Sequence, residues 1–346
     1  MVGRLRTALV AGGLVLIVAA APASAELLRL YGDENVGTSA GQFLKVPVGA
    51  RAVGLGNAYV ACAIDGPGVF WNPAGLLRTP GLSNWYAGHT EWAAGIDLDH
   101  AAFSWRTQSF GYAISAGMLR SGEIPRTTEY HVEGTGETFR ADQYTLAFSL
   151  ARAMTDRFSI GLTARYYQEN LDEWEIRSLL FDLGILYFVG LGDMRVGFSV
   201  KSFGPDLRPG GSPPLRDGYA PQSEFQAFSP PTEGSFGVAY TWHLAEDVNL
   251  LTTTDFNHPG DARESFRMGG ELELMNRFFV RGGYETGRDE GGLSAGCGLQ
   301  LKRHQLLWRV DYAFRDMGGF GGMHFVSIEL SPLWSKESAR HGRAAR

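Results

Sequence analysis

From about residue 82 onward, apolar and polar side chains alternate with the period of two that sets successive residues on opposite faces of a strand. Leu306, Trp308, Val310, Tyr312 and Phe314 fall on one face, and Arg309, Asp311, Ala313 and Arg315 on the other. The same division separates Phe266, Met268, Gly270, Leu272 and Leu274 from Arg267, Gly269, Glu271 and Glu273. It also separates Phe158, Ile160, Leu162, Ala164 and Tyr166 from Ser159, Gly161, Thr163, Arg165 and Tyr167. Strands are predicted at 82–92, 97–105, 109–120, 142–152, 158–168, 174–188, 194–203, 234–243, 248–257, 263–274, 278–286, 291–302, 306–315 and 322–334, about fourteen in all. Short turns at 106–108, 153–157, 189–193, 244–247, 275–277 and 303–305 share one end, while the long excursions 121–141 and 204–233 share the other. Both termini then fall at the short-turn end.

An even number of strands of about ten residues, with short turns at one end and longer loops at the other, is the pattern of a bacterial outer-membrane barrel. The expected fold class is all-β, a transmembrane antiparallel β-barrel with outer-membrane lipid against its wall. Closure matters because an open sheet edge in lipid would leave backbone groups without partners. The same alternation fits an exported soluble β-protein with its oily face turned inward. The loop asymmetry, the strand count and the aromatic ends at Trp85, Trp105, Tyr240, Trp242 and Trp334 favour the membrane. The polar face then lines the lumen with Arg165, Arg195, Lys201, Arg267, Glu271, Glu273, Arg281, Arg309, Asp311 and Arg315. Such mixed signs suit salt-linked packing around a plug better than an ion-selective pore.

Two segments precede the strands. Arg4 and Arg6, the apolar run from Ala8 to Ala21, and Ala23-Ser24-Ala25 predict a secretory signal peptide over residues 1–25, cleaved after Ala25. Residues 26–80 do not alternate and are rich in small residues, so they predict short helices and turns that enter from the short-turn end and plug the lumen. The domain order is signal peptide 1–25, hatch 26–80, barrel 81–334 and disordered tail 335–346.

Within the hatch, Gly49-Ala50-Arg51-Ala52-Val53-Gly54-Leu55-Gly56-Asn57-Ala58-Tyr59-Val60-Ala61 is followed by Asp65 and then by Val69-Phe70-Trp71-Asn72-Pro73-Ala74-Gly75-Leu76. This run resembles the amino-terminal pattern of the PorV/PorQ family, which sits with the FadL-like barrels. The resemblance implies fourteen strands around an amino-terminal hatch and passage or binding of hydrophobic small molecules. The PorV branch alternatively implies a docking or shuttle role in type IX protein secretion, with secretion-system proteins as partners of the long loops. Barrels of this class are inserted by the barrel assembly machinery, usually through an aromatic-ended last strand; here Val326, Ile328, Leu330 and Trp334 are followed by a polar tail. Without the family, Pro73 presets a turn, Asn72 bonds nearby backbone, and Gly75 permits a positive φ. Gly49, Gly54 and Gly56 let the hatch backbone approach the wall. The candidate hatch site, structural or gating, is therefore Gly49, Arg51, Gly54, Gly56, Asn57, Asp65, Trp71, Asn72, Pro73 and Gly75.

Composition narrows the chemistry. Over 346 residues the net charge is −6, which excludes a basic nucleic-acid surface, and Cys62 and Cys297 make neither a disulfide framework nor a thiolate metal site. Gly292-Leu293-Ser294-Ala295-Gly296 has the letters of a nucleophile elbow, yet alternation puts Ser294 in mid-strand facing the lumen with no helix after it. No enzyme, cofactor or metal centre is expected; Asp255-Phe256-Asn257-His258 with Asp261 is read as a solvated turn rather than a cation site. Bending of the wall is expected in the third strand, at Gly111, Gly117 and Gly122. Replacing Arg267 and Arg309 together would raise conductance if they hold the hatch.

Overall fold

The computed structural model describes residues 36–211, 224–287 and 291–333. The signal peptide, part of the 204–233 loop, Trp334 and the tail lie outside the described residues.

In chain order the strands are β1 (Ser83–Glu91), β2 (Asp97–Arg106), β3 (Phe110–Arg120), β4 (Ile124–Pro125), β5 (Thr138–Phe139), β6 (Ala141–Ala153), β7 (Phe158–Leu171), β8 (Trp174–Phe188), β9 (Arg195–Phe203), β10 (Glu233–Ala245), β11 (Val248–Pro259), β12 (Ser265–Leu274), β13 (Phe278–Glu285), β14 (Leu293–Arg303), β15 (Leu306–Asp316) and β16 (Gly322–Pro332). β4 and β5 form a small separate hairpin inside the loop after β3. The other fourteen make one closed antiparallel barrel, each pairing with its neighbour in the chain, and β1 closes on β16 from Trp85↔Leu330 to Glu91↔His324. These are the fourteen strands the alternation marks, to within a few residues at their ends.

The oily faces look outward. Trp308, Val310, Tyr312 and Phe314 are exposed, whereas Arg309, Asp311, Ala313 and Arg315 are buried. That is the reverse of a soluble sandwich, whose apolar faces meet inside. At the short-turn end Trp85, Phe103, Trp105 and Tyr112 stack along the outer surface with ring centroids 4.2, 5.5 and 5.3 Å apart.

Two expectations are corrected. β3 pairs in unbroken register with β2 and β6, so the ladder carries no bulge where the glycine bend was expected. Gly111 faces Leu76 of the hatch, Gly117 packs against Thr145 and His100, and Gly122 lies in the loop beyond. The ladder shifts instead between β8 and β9, where Ser202 takes φ 55° and donates its N–H to Asp182 Oδ1 at 2.7 Å, and between β10 and β11 near His243. The described part of the hatch, secondly, does not enter from the short-turn end. Gly37 N–H donates to Asp261 O in the β11–β12 loop and Ala40 N–H to Ser229 O, so the described chain starts among the long loops and descends through the lumen to β1.

Candidate functional site

The described hatch is a strap (residues 36–48), a short helix α1 (Ala50–Gly54), and two 3₁₀ turns at Pro67–Phe70 and Pro73–Arg78. At the second turn the Asn72 side chain accepts from Ala74 N–H at 3.1 Å and donates to Val60 O and to Ile185 O of β8, at 3.0 and 2.9 Å. Pro73 occupies the first turn position, where a missing N–H is harmless. Gly75 is needed for space and not for a positive φ, because a Cβ there would overlap Ala63 O; within the motif the positive φ values fall on Gly49, at 95°, and on Gly56 and Asn57, both at 64°. Trp71 donates Nε1–H to Val48 O at 2.8 Å and meets Tyr59 edge-on.

The wall receives this backbone on glycine. Gly283 and Gly269, paired across β12 and β13, face Leu55 and Gly56; Gly197 and Gly237, paired across β9 and β10, face Val60 and Ala61; Gly161 and Gly184, paired across β7 and β8, face Asn72 to Ala74. Any side chain at these positions would strike hatch main chain, Asn72 or, at Gly237, the Asp255 carboxylate that itself holds the hatch. Gly54 sits against Arg281 and Gly296, as expected of a wall contact, whereas Gly49 packs on Pro67 of the hatch itself.

One ionic cluster ties hatch to wall. Arg51 donates Nε–H and Nη2–H to the two oxygens of Glu271 at 2.9 and 2.6 Å, and Nη1–H to Asp65 at 2.9 Å, while Tyr59 hydroxyl donates to the same Asp65. Glu271 also accepts from Arg281 at 2.5 Å and from Arg309 at 3.3 Å. The remaining wall charges pair mostly among themselves: Arg165 with Asp182, Arg267 with Glu233 and Glu285, Arg281 and Arg309 with Asp311, Lys201 with Glu233 and Arg315 with Glu285. Arg195 reaches Thr241 at 3.2 Å. Arg267 and Arg309 therefore hold wall carboxylates, and the hatch is gripped instead by Arg51, by Asn57 Nδ2–H to Glu285 at 3.0 Å, and by Asp255.

Asp255 is a correction. It is buried in mid-strand on β11, and its Oδ2 accepts the backbone N–H of Tyr59 and Val60 at 2.7 and 2.9 Å. It is no solvated turn, and its place could have been read from the alternation that also turns Thr253 and Asn257 inward. Asp261, by contrast, lies in a loop, where its carboxylate accepts from Ser39, from Gln42 at 2.9 Å and from Lys45 at 2.9 Å. Burial raises its pKa, but these donors outweigh that and hold it below the ordinary carboxylate value.

The strap so latched pushes Phe43 and Leu44 into an apolar cluster with Leu98, Leu119, Tyr167, Leu180 and Leu207. Phe43 stacks on the buried His100, 5.8 Å between centroids. The aperiodic strap gave no sequence signal for either contact. Beneath it, a cavity of about 50 Å³ is lined by residues including Pro47, Trp71, His100 and Lys201. On the short-turn side of the Arg51 cluster, a second of about 130 Å³ is lined by residues including Asp65, Arg78, Arg309 and Glu329. The wall of the first is mainly polar and suits a few waters, while the second presents more apolar than polar surface. Ser294 is buried in β14, its hydroxyl accepting Gly56 N–H at 3.1 Å. Among the described residues no group of three or more His, Cys, Asp or Glu is arranged to hold a metal ion.

Fold and site together define a closed fourteen-stranded barrel, apolar outside, whose lumen is filled by its own amino-terminal segment. The toluene transporter TbuX of Ralstonia pickettii has a similar structure, with a TM-score of 0.54 and 12% identity over 83% of this chain and 98% of that one. So have the P. putida toluene transporter TodX, with a TM-score of 0.55, 9% identity and 83% and 98% coverage, and the CymD monoaromatic hydrocarbon channel, with 0.52, 13%, 82% and 96%. At these identities the likeness is one of fold. No family signature matches the chain, and no curated protein matches it in sequence.

Proposed function

We propose that the chain is an outer-membrane, FadL-like channel of the PorV/PorQ type that passes small, neutral hydrophobic molecules, with the hatch as seal and the strap as the part that yields. The observation that carries this is the apolar cluster under the long loops, where Phe43 and Leu44 fill space of the kind a greasy ligand would take. Neutral cargo is favoured because the lumen charges pair off and leave little net field to attract an ion. The hydrocarbon cargo of the three structural relatives points to the same substrate class. In this scheme residues 1–25 direct export and are cleaved, residues 26–80 are the hatch, the barrel assembly machinery inserts the wall, and the long loops face outward.

The test is uptake of radiolabelled toluene into liposomes carrying the purified barrel. Asp261→Ala with Lys45→Ala removes a charge-assisted latch worth about 1.5 kcal/mol at the low end, which raises the open-strap population, and with it uptake, about tenfold. Uptake by wild type and variant no faster than by empty liposomes would refute the channel.

A second reading, docking in type IX secretion, has one observation behind it: Tyr130 and Val132 stand 91% and 74% exposed in the loop between β4 and β5. Loss of co-purifying secretion proteins on Tyr130→Ser with Val132→Ser would support it.

A further inference from the structure

At the short-turn end of the outer wall an aromatic strip runs into a patch of arginines that have no acid. Trp85, Phe103, Trp105, Tyr112 and Phe110 follow one another across β1, β2 and β3, the last two rings 6.3 Å apart. Arg152 is outward and exposed near the end of β6, in register with Phe110, and its guanidinium lies over that ring at 5.7 Å. Backbone bonds knit the rim around it. Ala153 N–H donates to Ser109 O at 2.9 Å, Arg106 N–H to Leu82 O at 2.9 Å and Phe188 N–H to Arg157 O at 2.8 Å, while the Arg78 guanidinium donates to Asp156 O. Arg78, Arg106, Arg152 and Arg157 thus share one stretch of rim, and among the described residues none of them has a carboxylate within ion-pair distance. Asp156 offers Arg78 only its backbone carbonyl, and Asp193 in the next turn is taken by His243. At the long-loop end, by contrast, Arg120, Arg126 and Arg140 pair with Asp99, Asp172 and Glu123.

Hydrocarbon gives a guanidinium on the lipid-facing surface no acceptor, and the aromatic girdle of a barrel marks the depth at which headgroups begin. A ligand that matches both parts of this surface is an amphiphile, negative at the rim and apolar along the strip. We infer that the strip binds an anionic phospholipid of the leaflet on the short-turn side, its phosphodiester on Arg152 and an acyl chain along Phe110, Tyr112 and Trp105. Arginine suits that group because two of its N–H bonds can meet two phosphate oxygens together. Arg78, Arg106 and Arg157 add positive field on the same rim, which favours a headgroup with net negative charge over a zwitterionic one. An acidic protein segment would satisfy the arginines but leave the aromatic strip unused. The inference rests on the membrane reading above and is independent of what the lumen carries.

The test is native mass spectrometry of the purified full chain in detergent, with phosphatidylglycerol and phosphatidylcholine of the same acyl chains added in turn. Wild type is expected to hold phosphatidylglycerol at concentrations where phosphatidylcholine leaves it bare. Arg152→Glu with Arg157→Glu should weaken that binding about tenfold, and Trp105→Ala should weaken it in part. Arg303→Glu, which removes another exposed rim arginine at the end of β14, should leave it unchanged. Equal binding of the two lipids, a preference that survives R152E with R157E, or an equal loss in R303E overturns the site. So does displacement by sn-glycerol 3-phosphate or by hexaglutamate at equal concentration, which would give the arginines to a soluble phosphate or to an acidic segment. Each variant is scored with its heat-modifiable band intact, and if the double reversal loses that band, Arg152→Gln reads the same loss. Failure of the membrane reading shows separately, as a soluble wild-type protein without a heat-modifiable band.

Discussion

At the scale of single residues, one wall carboxylate grips the hatch by its backbone. Asp255 accepts two amides from the turn at Tyr59 and Val60, and in a buried turn neither amide has water to fall back on. Asp255→Ala strands both donors, at about 1–3 kcal/mol each, whereas Asp255→Asn keeps one acceptor oxygen and loses less. The folded, heat-modifiable band should therefore convert at a clearly lower temperature in the alanine variant, with asparagine between it and wild type; equal midpoints would remove Asp255 from the grip. Much of this residue-scale detail is open to sequence reasoning once the alternation is followed through. It gives Asp255 and Glu271 their inward direction, and Asn72-Pro73 its turn. What it cannot give is the occupant of the lumen opposite each side chain. Arg267 and Arg309 consequently read as hatch contacts when they are wall contacts, and Gly75 reads as a φ requirement when it is a collision with Ala63 avoided.

At the scale of elements, the hatch divides into a seated part and a latched part. Residues 49–78 lie on paired glycines and resist displacement as a body, whereas the strap is tied chiefly through Asp261 and the two backbone bonds at Gly37 and Ala40. The latch has a definite pH dependence. Asp261 has a lowered pKa in the folded chain, so its contribution is complete above the ordinary carboxylate value and is lost as the pH falls through the lower folded value. Toluene uptake should be flat from about pH 7 to pH 5 and rise only below about pH 4. Asp261→Asn should abolish that acid limb and raise uptake at neutral pH. A rise already near pH 6 would point to a histidine and away from Asp261. The strands were legible because period-two alternation records which face meets lipid and which meets the lumen. The strap was not, because residues 36–48 follow the shape of a cavity and have no period of their own to mark the end from which they enter.

At the scale of the whole molecule, seal and wall are separable because the wall neutralises itself. Six wall cations have wall carboxylates within ion-pair distance: Arg165, Lys201, Arg267, Arg281, Arg309 and Arg315. Glu271 keeps Arg281 and Arg309 when Arg51 is withdrawn. Removing the hatch therefore strands few buried charges, the usual reason such deletions unfold a protein, and the closed ladder leaves no edge to fray. Two nested deletions should then behave differently. Without residues 37–46 the apolar cluster under the loops is vacated while the seated hatch still blocks the lumen, so hydrocarbon uptake rises and ionic conductance across a planar bilayer stays at the wild-type level. Without residues 37–78 the glycine-lined waist is bare, its surrounding charges are hydrated, and conductance rises steeply. If the shorter deletion already conducts, the seal lies in the strap and not in the segment from Gly49 to Arg78. If neither conducts while both remain heat-modifiable, the wall itself is narrow enough to close the pore.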